Sequence, residues 1–463
     1  MPKSRPILSL ILVLGLLAMP VPAASQDSGP TYIVQPGDTL SAIARQFGLS
    51  QAAIINANAI VDPAKLFPGE VLVLPGFAGI EGELEMRTLQ FGETITSISR
   101  VYGIAPRDLA RLNRMLLLDG AYAGQVVIVP AVKDSGEFSG SFGRLIQPGE
   151  TRLELAAKAG ISPWAIAADS LEALRTWRVP GTFSREAGEP DSKAFPSLIA
   201  AVSLAALPLV QGQTVILEIE IPEGYSLSGA LGEASLSFFP EQDGRWVSLQ
   251  GIHALAEPGL VDLRFDLRAD DAQAPLYGFH QQVLVNEGDY GFQILNGVPP
   301  ETVDPAYTQP EEDLIRELLA PKTETKLWEG TLDYPSRYYT EEFASIFGTR
   351  RNYNNGALLY YHTGLDFYGQ NVPIYAPADG IVVFANFLDI RGNATYIDHG
   401  WGVYTGYMHQ NEIYVEAGDR VERGQVIGLV GGTGRATGPH LHWEIWVGGV
   451  PVQPLDWVAT EIP

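Results

Sequence analysis

Cysteine is absent from the 463-residue chain, which removes disulfide frameworks, thiolate metal sites and cysteine nucleophiles from consideration. Basic residues are scarce: 30 Lys and Arg against 54 Asp and Glu leave a formal net charge of -24 at pH 7. That balance argues against nucleic acid and anionic membrane surfaces as partners. The N-terminal apolar run, Ile7 to Ala18, is too short for a comfortable transmembrane span. With Lys3 and Arg5 before it and small residues from Pro20 to Ala24 after it, residues 1–25 read as an export signal, a retained signal anchor being the alternative. Without cysteine there is no lipidation site near the cleavage region. A chain so built is expected outside the cytoplasm, with no stable membrane insertion once the signal is removed.

What is present begins with an internal repeat. Gln35-Pro36-Gly37-Asp38-Thr39 matches Gln90-Phe91-Gly92-Glu93-Thr94 at a shift of about 55 residues. The same shift pairs Gly48 with Gly103, Asn58 with Asn113, Gly69 with Gly124 and Pro75 with Pro130. In the first copy Tyr32-Ile33-Val34 reads as a strand, and Leu40, Ile43, Ala44 and Phe47 fall at helical spacing. Gly48 ends that helix, Ser50 caps a second, and Val71 to Leu74 closes the unit as a strand. This βααβ order, with its Gly-Asp/Glu-Thr start, central Asn and terminal strand, resembles the LysM module over residues 31–76 and 85–132. The resemblance implies binding to glycans containing N-acetylglucosamine; a structural spacer is the bland alternative. A third start, Gln147-Pro148-Gly149-Glu150-Thr151, lacks the central Asn and the closing strand. Residues 144–172 are therefore read as a degenerate half-repeat and 173–195 as a polar linker.

From 196 to 298 short alternating runs, such as Val261-Asp262-Leu263-Arg264-Phe265-Asp266-Leu267, are punctuated by Gly and Pro, the pattern of a β-sandwich-like domain. His253 and His280 fall here without a partner pattern and read as packed or surface histidines. Residues 299–327 read as a linker with a short helix from Glu311 to Leu319. Overall the chain is expected to be multidomain and mainly β.

Histidine is rare as well, seven in all, yet five lie beyond residue 361. His362 and Asp366 stand four apart, His440 and His442 two apart, and such pairs project from one face of an extended strand. The pairs can therefore converge from two neighbouring strands, with His409 between them in sequence. Catalytic zinc sites take three ligands from His, Asp or Glu and leave a fourth position for water. Further imidazoles beside such a metal can take a proton from the water and stabilise an oxyanion.

Around these residues the run from Ser345 to Trp457 resembles the lysostaphin-type zinc metallopeptidases, the LytM-like peptidoglycan endopeptidases. The matching pieces are Ser345-Ile346-Phe347-Gly348-Thr349-Arg350, His362-x-x-x-Asp366, Ala376-Pro377-Ala378-Asp379-Gly380, Tyr407-Met408-His409 and Gly438-Pro439-His440-Leu441-His442-Trp443-Glu444. The resemblance implies an antiparallel β-sheet peptidase domain of the duplicated hybrid motif type over 328–460. It implies one Zn2+ held by His362, Asp366 and His442, with His409 and His440 as catalytic histidines. Peptide stems or cross-bridges of peptidoglycan are the implied substrate, and the cell wall, periplasm or extracellular space the implied location. The alternative is a non-catalytic wall-binding scaffold or activator of other wall hydrolases; the intact ligand set favours the enzyme.

Neighbouring residues leave choices open. His399 reads as fixing a turn rather than touching substrate. Glu444 either orients a ligand or makes a plain structural contact, and Arg350 is either a core-edge hydrogen bonder or a substrate clamp. Tyr353, Tyr360, Tyr361 and Trp443 line a groove or pack a core. The glycines from Gly431 to Gly438 read as a groove wall, because no Lys or helix follows as a phosphate loop requires.

Overall fold

The structure, a computed structural model, describes residues 29–463 except 78, 103, 119, 132–137, 146–150, 152, 155, 156, 158–175, 184–192, 194, 197, 206, 242, 243 and 339–341. The export signal lies outside the described residues, and so does most of the degenerate half-repeat. Among the described residues strand exceeds helix more than twofold, 39% against 16%, as a mainly β chain requires. Among the described residues no helix is long and apolar enough to cross a membrane. The chain divides into two compact units, 1–85 with 130–132 and 86–129 with 133–463.

The first unit holds the first repeat. Its helices, Leu40–Phe47 and Gln51–Asn58, are capped by the Thr39 and Ser50 side chains and bury Leu40, Ile43, Phe47 and Ile54. The central Asn has a physical reason: Asn58 Nδ2 donates to the carbonyls of Ile54 and Val73, and its Oδ1 accepts from the Val73 amide at 2.6 Å. One amide thus ties the end of the second helix to the closing strand. In the second unit Asn113 does the same, with Leu109 and Ile128 as partners.

The second repeat continues into the middle domain. Two antiparallel-rich sheets, one of five strands and one of four, face each other across a core that includes Val215, Leu217, Leu263, Phe265 and Val283. Phe91 joins that core, the Gly92 amide donates to Gln281 Oε1 at 2.9 Å, and Gln281 Nε2 donates to the Glu93 carbonyl at 2.7 Å. The segment expected as linker over 173–195 contains a strand, Thr176–Phe183, paired antiparallel with Phe138–Leu145. A partner nearly forty residues away leaves no local signature in a polar sequence.

The C-terminal domain is a large antiparallel sheet whose central strands are Leu365–Tyr368, His440–Val447, Val403–Ile413, Gly392–Gly400 and Gly380–Leu388, in that spatial order. Its core of Trp443, Trp457, Phe367, Leu441 and others is continuous with Phe239, Val247 and Leu249 of the middle domain. The linker helix is longer than expected, Pro305–Leu318 with Asp304 as N-cap. Pro310 reads as a boundary in sequence, yet it is carried inside the helix because Ile315 and Leu319 pack on Ala394, Tyr396, Tyr404 and Met408.

Candidate active site

Strand register brings the site together. Asp366 lies directly opposite His442, Tyr368 opposite His440, and Met408 opposite His442 on the other side. His362 is not on the Asp366 strand as the four-residue spacing suggested. It sits beyond the end of Leu358–Tyr361, anchored by its amide to the Thr349 carbonyl, and the chain bends through Thr363-Gly364 before Asp366. Gly364 is required there: a Cβ would stand 2.2 Å from the Trp443 carbonyl oxygen and 2.9 Å from His442 Nε2.

Three side-chain atoms converge. His362 Nε2 lies 2.9 Å from Asp366 Oδ1 and 2.9 Å from His442 Nδ1, which is itself 2.8 Å from Asp366 Oδ1. All three residues are buried, and together they form a group able to hold a metal ion. Each ring is oriented from behind. His362 Nδ1 donates to the Ile346 carbonyl at 2.9 Å, and His442 Nε2 donates to Glu444 Oε1 at 3.1 Å. Glu444 is fixed in turn by Trp446 Nε1 at 2.7 Å and by the Thr363 hydroxyl. The choice left open for Glu444 is thereby settled: it orients His442.

The electrostatics say what the site wants. Burial alone would lower the His442 pKa, but hydrogen bonds to Asp366 and Glu444 and their charges raise it to about 9. His362 goes the other way, pushed down to about 4 by burial. Burial would raise Asp366, yet His362 and His442 hold it well below the usual carboxylate range. A neutral His362 and an ionised Asp366 thus share one proton, carried on His442 Nδ1. Remove that proton and three lone pairs face one another within 2.9 Å, an arrangement that only a cation stabilises. The donor set, two imidazoles and one carboxylate, fits zinc in an open tetrahedral site.

Two further imidazoles stand beside these atoms. His440 Nδ1 donates to the Gly438 carbonyl at 2.8 Å and its Nε2 lies 3.9 Å from Asp366 Oδ1. His409 Nδ1 donates to the Thr433 carbonyl at 2.8 Å, and its ring centroid lies 4.8 Å from that of His440. In both rings Nδ1 is committed to a backbone carbonyl, which leaves Nε2 as the other ring nitrogen for the chemistry. Burial, followed by the neighbouring His440 and His442, pushes His409 down to about 3. Its backbone is left-handed at φ 60°, a costly conformation for a side-chain-bearing residue and one concentrated at functional sites.

Other expectations resolve by geometry. His399 is buried in the sheet between the Asp379 carbonyl and the Thr405 hydroxyl. Arg350 donates to Gln211 and lies over the Tyr290 ring at 4.9 Å, so it ties the strand Arg350–Tyr353, outside the large peptidase sheet, to the middle domain. Tyr353, Tyr361 and Trp443 are buried in cores. The Gly431–Gly438 loop carries the Thr433 carbonyl that holds His409. Arg351, 3.6 Å from Asp366 Oδ2, had no sequence signal beyond its nearness to Arg350.

Comparison with known proteins identifies two families in the chain. Residues 360–454 match the model of peptidase family M23, and residues 32–75 and 88–130 match the LysM domain. A peptidoglycan DD-endopeptidase of Vibrio cholerae, ShyC, is 39% identical over 121 residues, 26% of this chain and 27% of that protein. A DD-carboxypeptidase/endopeptidase of Neisseria meningitidis, Mpg, is 45% identical over 103 residues, 22% of this chain and 24% of that protein. The aligned region thus spans about a quarter of each relative. Among solved structures, the catalytic domain of the antimicrobial peptidase lysostaphin from Staphylococcus simulans aligns over 28% of this chain and 90% of that one, at 27% identity and a TM-score of 0.21. The chain carries a peptidase family M23 domain at its C-terminal end, preceded by two LysM domains.

Proposed function

We propose that the protein is a zinc-dependent endopeptidase that hydrolyses peptide bonds of bacterial peptidoglycan, held on wall glycan by its LysM domains. One observation carries the reading: three buried lone-pair donors converge within 2.9 Å, with two imidazoles beside them whose Nδ1 atoms are held by backbone carbonyls. His362 Nε2, Asp366 Oδ1 and His442 Nδ1 are the atoms to hold the ion. A zinc ion bound there supplies a Lewis acid and brings the pKa of a coordinated water to about 7.

The chain's own residues supply the proton handling. His409 and His440 each keep Nδ1 on a backbone carbonyl, which leaves Nε2 as the nitrogen placed to take a proton from the attacking water. Either returns it to the departing amine, since both Nδ1 protons stay on backbone carbonyls. Glu444 and the Ile346 carbonyl keep the ligand rings from rotating during the step. The names of the Vibrio and Neisseria relatives direct the choice of bond to the D,D cross-link between stems. Wall glycan then serves to hold the enzyme on its substrate, and we read the chain as an exported protein of the cell wall, periplasm or extracellular space.

Release of soluble label from dye-coupled peptidoglycan tests the proposal. The purified chain is assayed as isolated, after chelation, after zinc is restored, and as His442→Ala. Release lost on chelation, regained with zinc and absent in the variant is expected. Release that survives both chelation and His442→Ala would sink the proposal.

A further inference from the structure

We infer that Glu311, on the helix that precedes the peptidase sheet and outside the 360–454 family match, is a positioning residue for His409. Its carboxylate is buried, 8% exposed, and fully engaged. Oε2 accepts from the Ile390 amide at 2.8 Å, while Oε1 accepts from the Arg391 amide at 3.1 Å and from the Arg391 guanidinium at 2.8 Å. A single carboxylate therefore fixes both backbone and side chain of the Ile390-Arg391 turn.

That turn is what holds His409. The His409 amide donates to the Arg391 carbonyl at 2.9 Å, and the Arg435 amide donates to the Ile390 carbonyl at 2.8 Å. Arg435 belongs to the same glycine loop as Thr433, whose carbonyl accepts from His409 Nδ1. Both the backbone and the imidazole of His409 thus trace back through two residues to Glu311. A left-handed, non-glycine backbone persists only where its surroundings over-determine it, and Glu311 supplies a large part of that constraint. The catalytic unit accordingly begins at the helix cap, Asp304, and a fragment starting at Ala320 would lack the anchor.

Glu311→Gln replaces one acceptor oxygen by an amide NH2 facing the Arg391 donors, so the turn can no longer be held on both sides. Displacement of a catalytic group by about 1 Å costs on the order of a hundredfold in rate, and a kcat loss of about that size is expected with KM and zinc stoichiometry unchanged. Ile315→Val on the same helix serves as the control that disturbs packing alone. The deciding measurement is a double-variant cycle in the full-length chain. Glu311→Gln should cost nothing further in a His409→Ala background, because the two act through one group. An equal loss in both backgrounds, or an unchanged kcat, overturns the assignment. The kinetic arm rests on the hydrolase reading; a second arm does not. Hydrogen exchange at the His409 amide should accelerate in Glu311→Gln and not in Ile315→Val, and unchanged protection refutes the inference whatever the substrate. If Glu311→Gln fails to fold, Glu311→Asp, which keeps the charge but withdraws it by one methylene, is read by the same criteria.

Discussion

Glu444→Gln tests the electrostatic account of the metal centre most directly. The variant keeps volume and one acceptor oxygen, removes the buried charge behind His442, and turns the other oxygen into an amide donor that no longer accepts from Trp446 Nε1. In the native site burial works to lower the His442 pKa, and Asp366 and Glu444 overcome it to bring it from its ordinary 6.5 to about 9, a net of about 3 kcal/mol of preference for positive charge. Half of that net, about 1.5 kcal/mol or roughly tenfold in cation affinity, is then the least that Glu444 accounts for if the two carboxylates share equally. Removal of such outer partners typically costs between about ten- and a hundredfold in metal affinity, and the two figures meet. The pH dependence adds a sharper mark. Below the His442 pKa a proton competes for Nδ1, so apparent zinc affinity should rise about tenfold per pH unit and level off near pH 9. In Glu444→Gln the plateau should be lower and reached about one unit earlier. Competition titrations against a chromophoric chelator from pH 6 to 9.5 measure both features. A variant that matches the native protein in plateau height and in the pH of levelling would refute the argument that these carboxylates make the site seek a cation.

Three other outcomes follow from the same structure. Gly392→Ala should lower kcat at least tenfold and destabilise by about 2 kcal/mol, because a Cβ there meets Thr433 backbone atoms at 2.4 Å and φ is 67°; a native melting curve with native kcat would refute the close approach. Burial holds His399 neutral with a pKa of about 4 despite its bond to Asp379, so the unfolded chain binds the extra proton between pH 6.5 and 4. Stability is therefore fully present above 6.5 and falls on acidification, by about 3 kcal/mol at most from this residue; melting temperature against pH should flatten over that window in His399→Asn, and an unaltered slope would assign the loss elsewhere. Phe91→Ala should cost about 3–5 kcal/mol in denaturant unfolding, since the ring lies in the sandwich core. The equivalent Pro36→Ala in the exposed loop of the first repeat should change stability by no more than about 0.5 kcal/mol, and equal effects would deny that the second repeat is docked.

What could be read from the sequence, and what could not, divides by how a residue acts. His362, Asp366 and His442 stand out as candidate ligands because few residue types can hold a metal, and the fold brings these three together. The repeats were legible for a similar reason: Asn58 and Asn113 each make a bond that no apolar side chain can replace. Groups that act through the backbone carry no such mark. Thr433 holds His409 with a carbonyl, the Ile390-Arg391 turn holds it with another, and any residue type supplies those. The His362–Asp366 spacing suggested one extended strand, but the real path bends at Gly364 because His442 and Trp443 occupy the space a straight strand would cross. Tyr361 and Trp443 likewise read as groove candidates, yet Tyr361 packs on His253 of the middle domain and Trp443 on Phe367 of its own sheet. Glu311 is the limiting case. Its chemistry is plain, a carboxylate among several on an acidic helix, and only the arrival of Arg391 eighty residues later gives it a task. A reading of residue types finds the atoms that touch the reaction; the residues that hold those atoms still emerge from long-range pairing, and in this chain they reach back beyond the boundary at which the family resemblance stops.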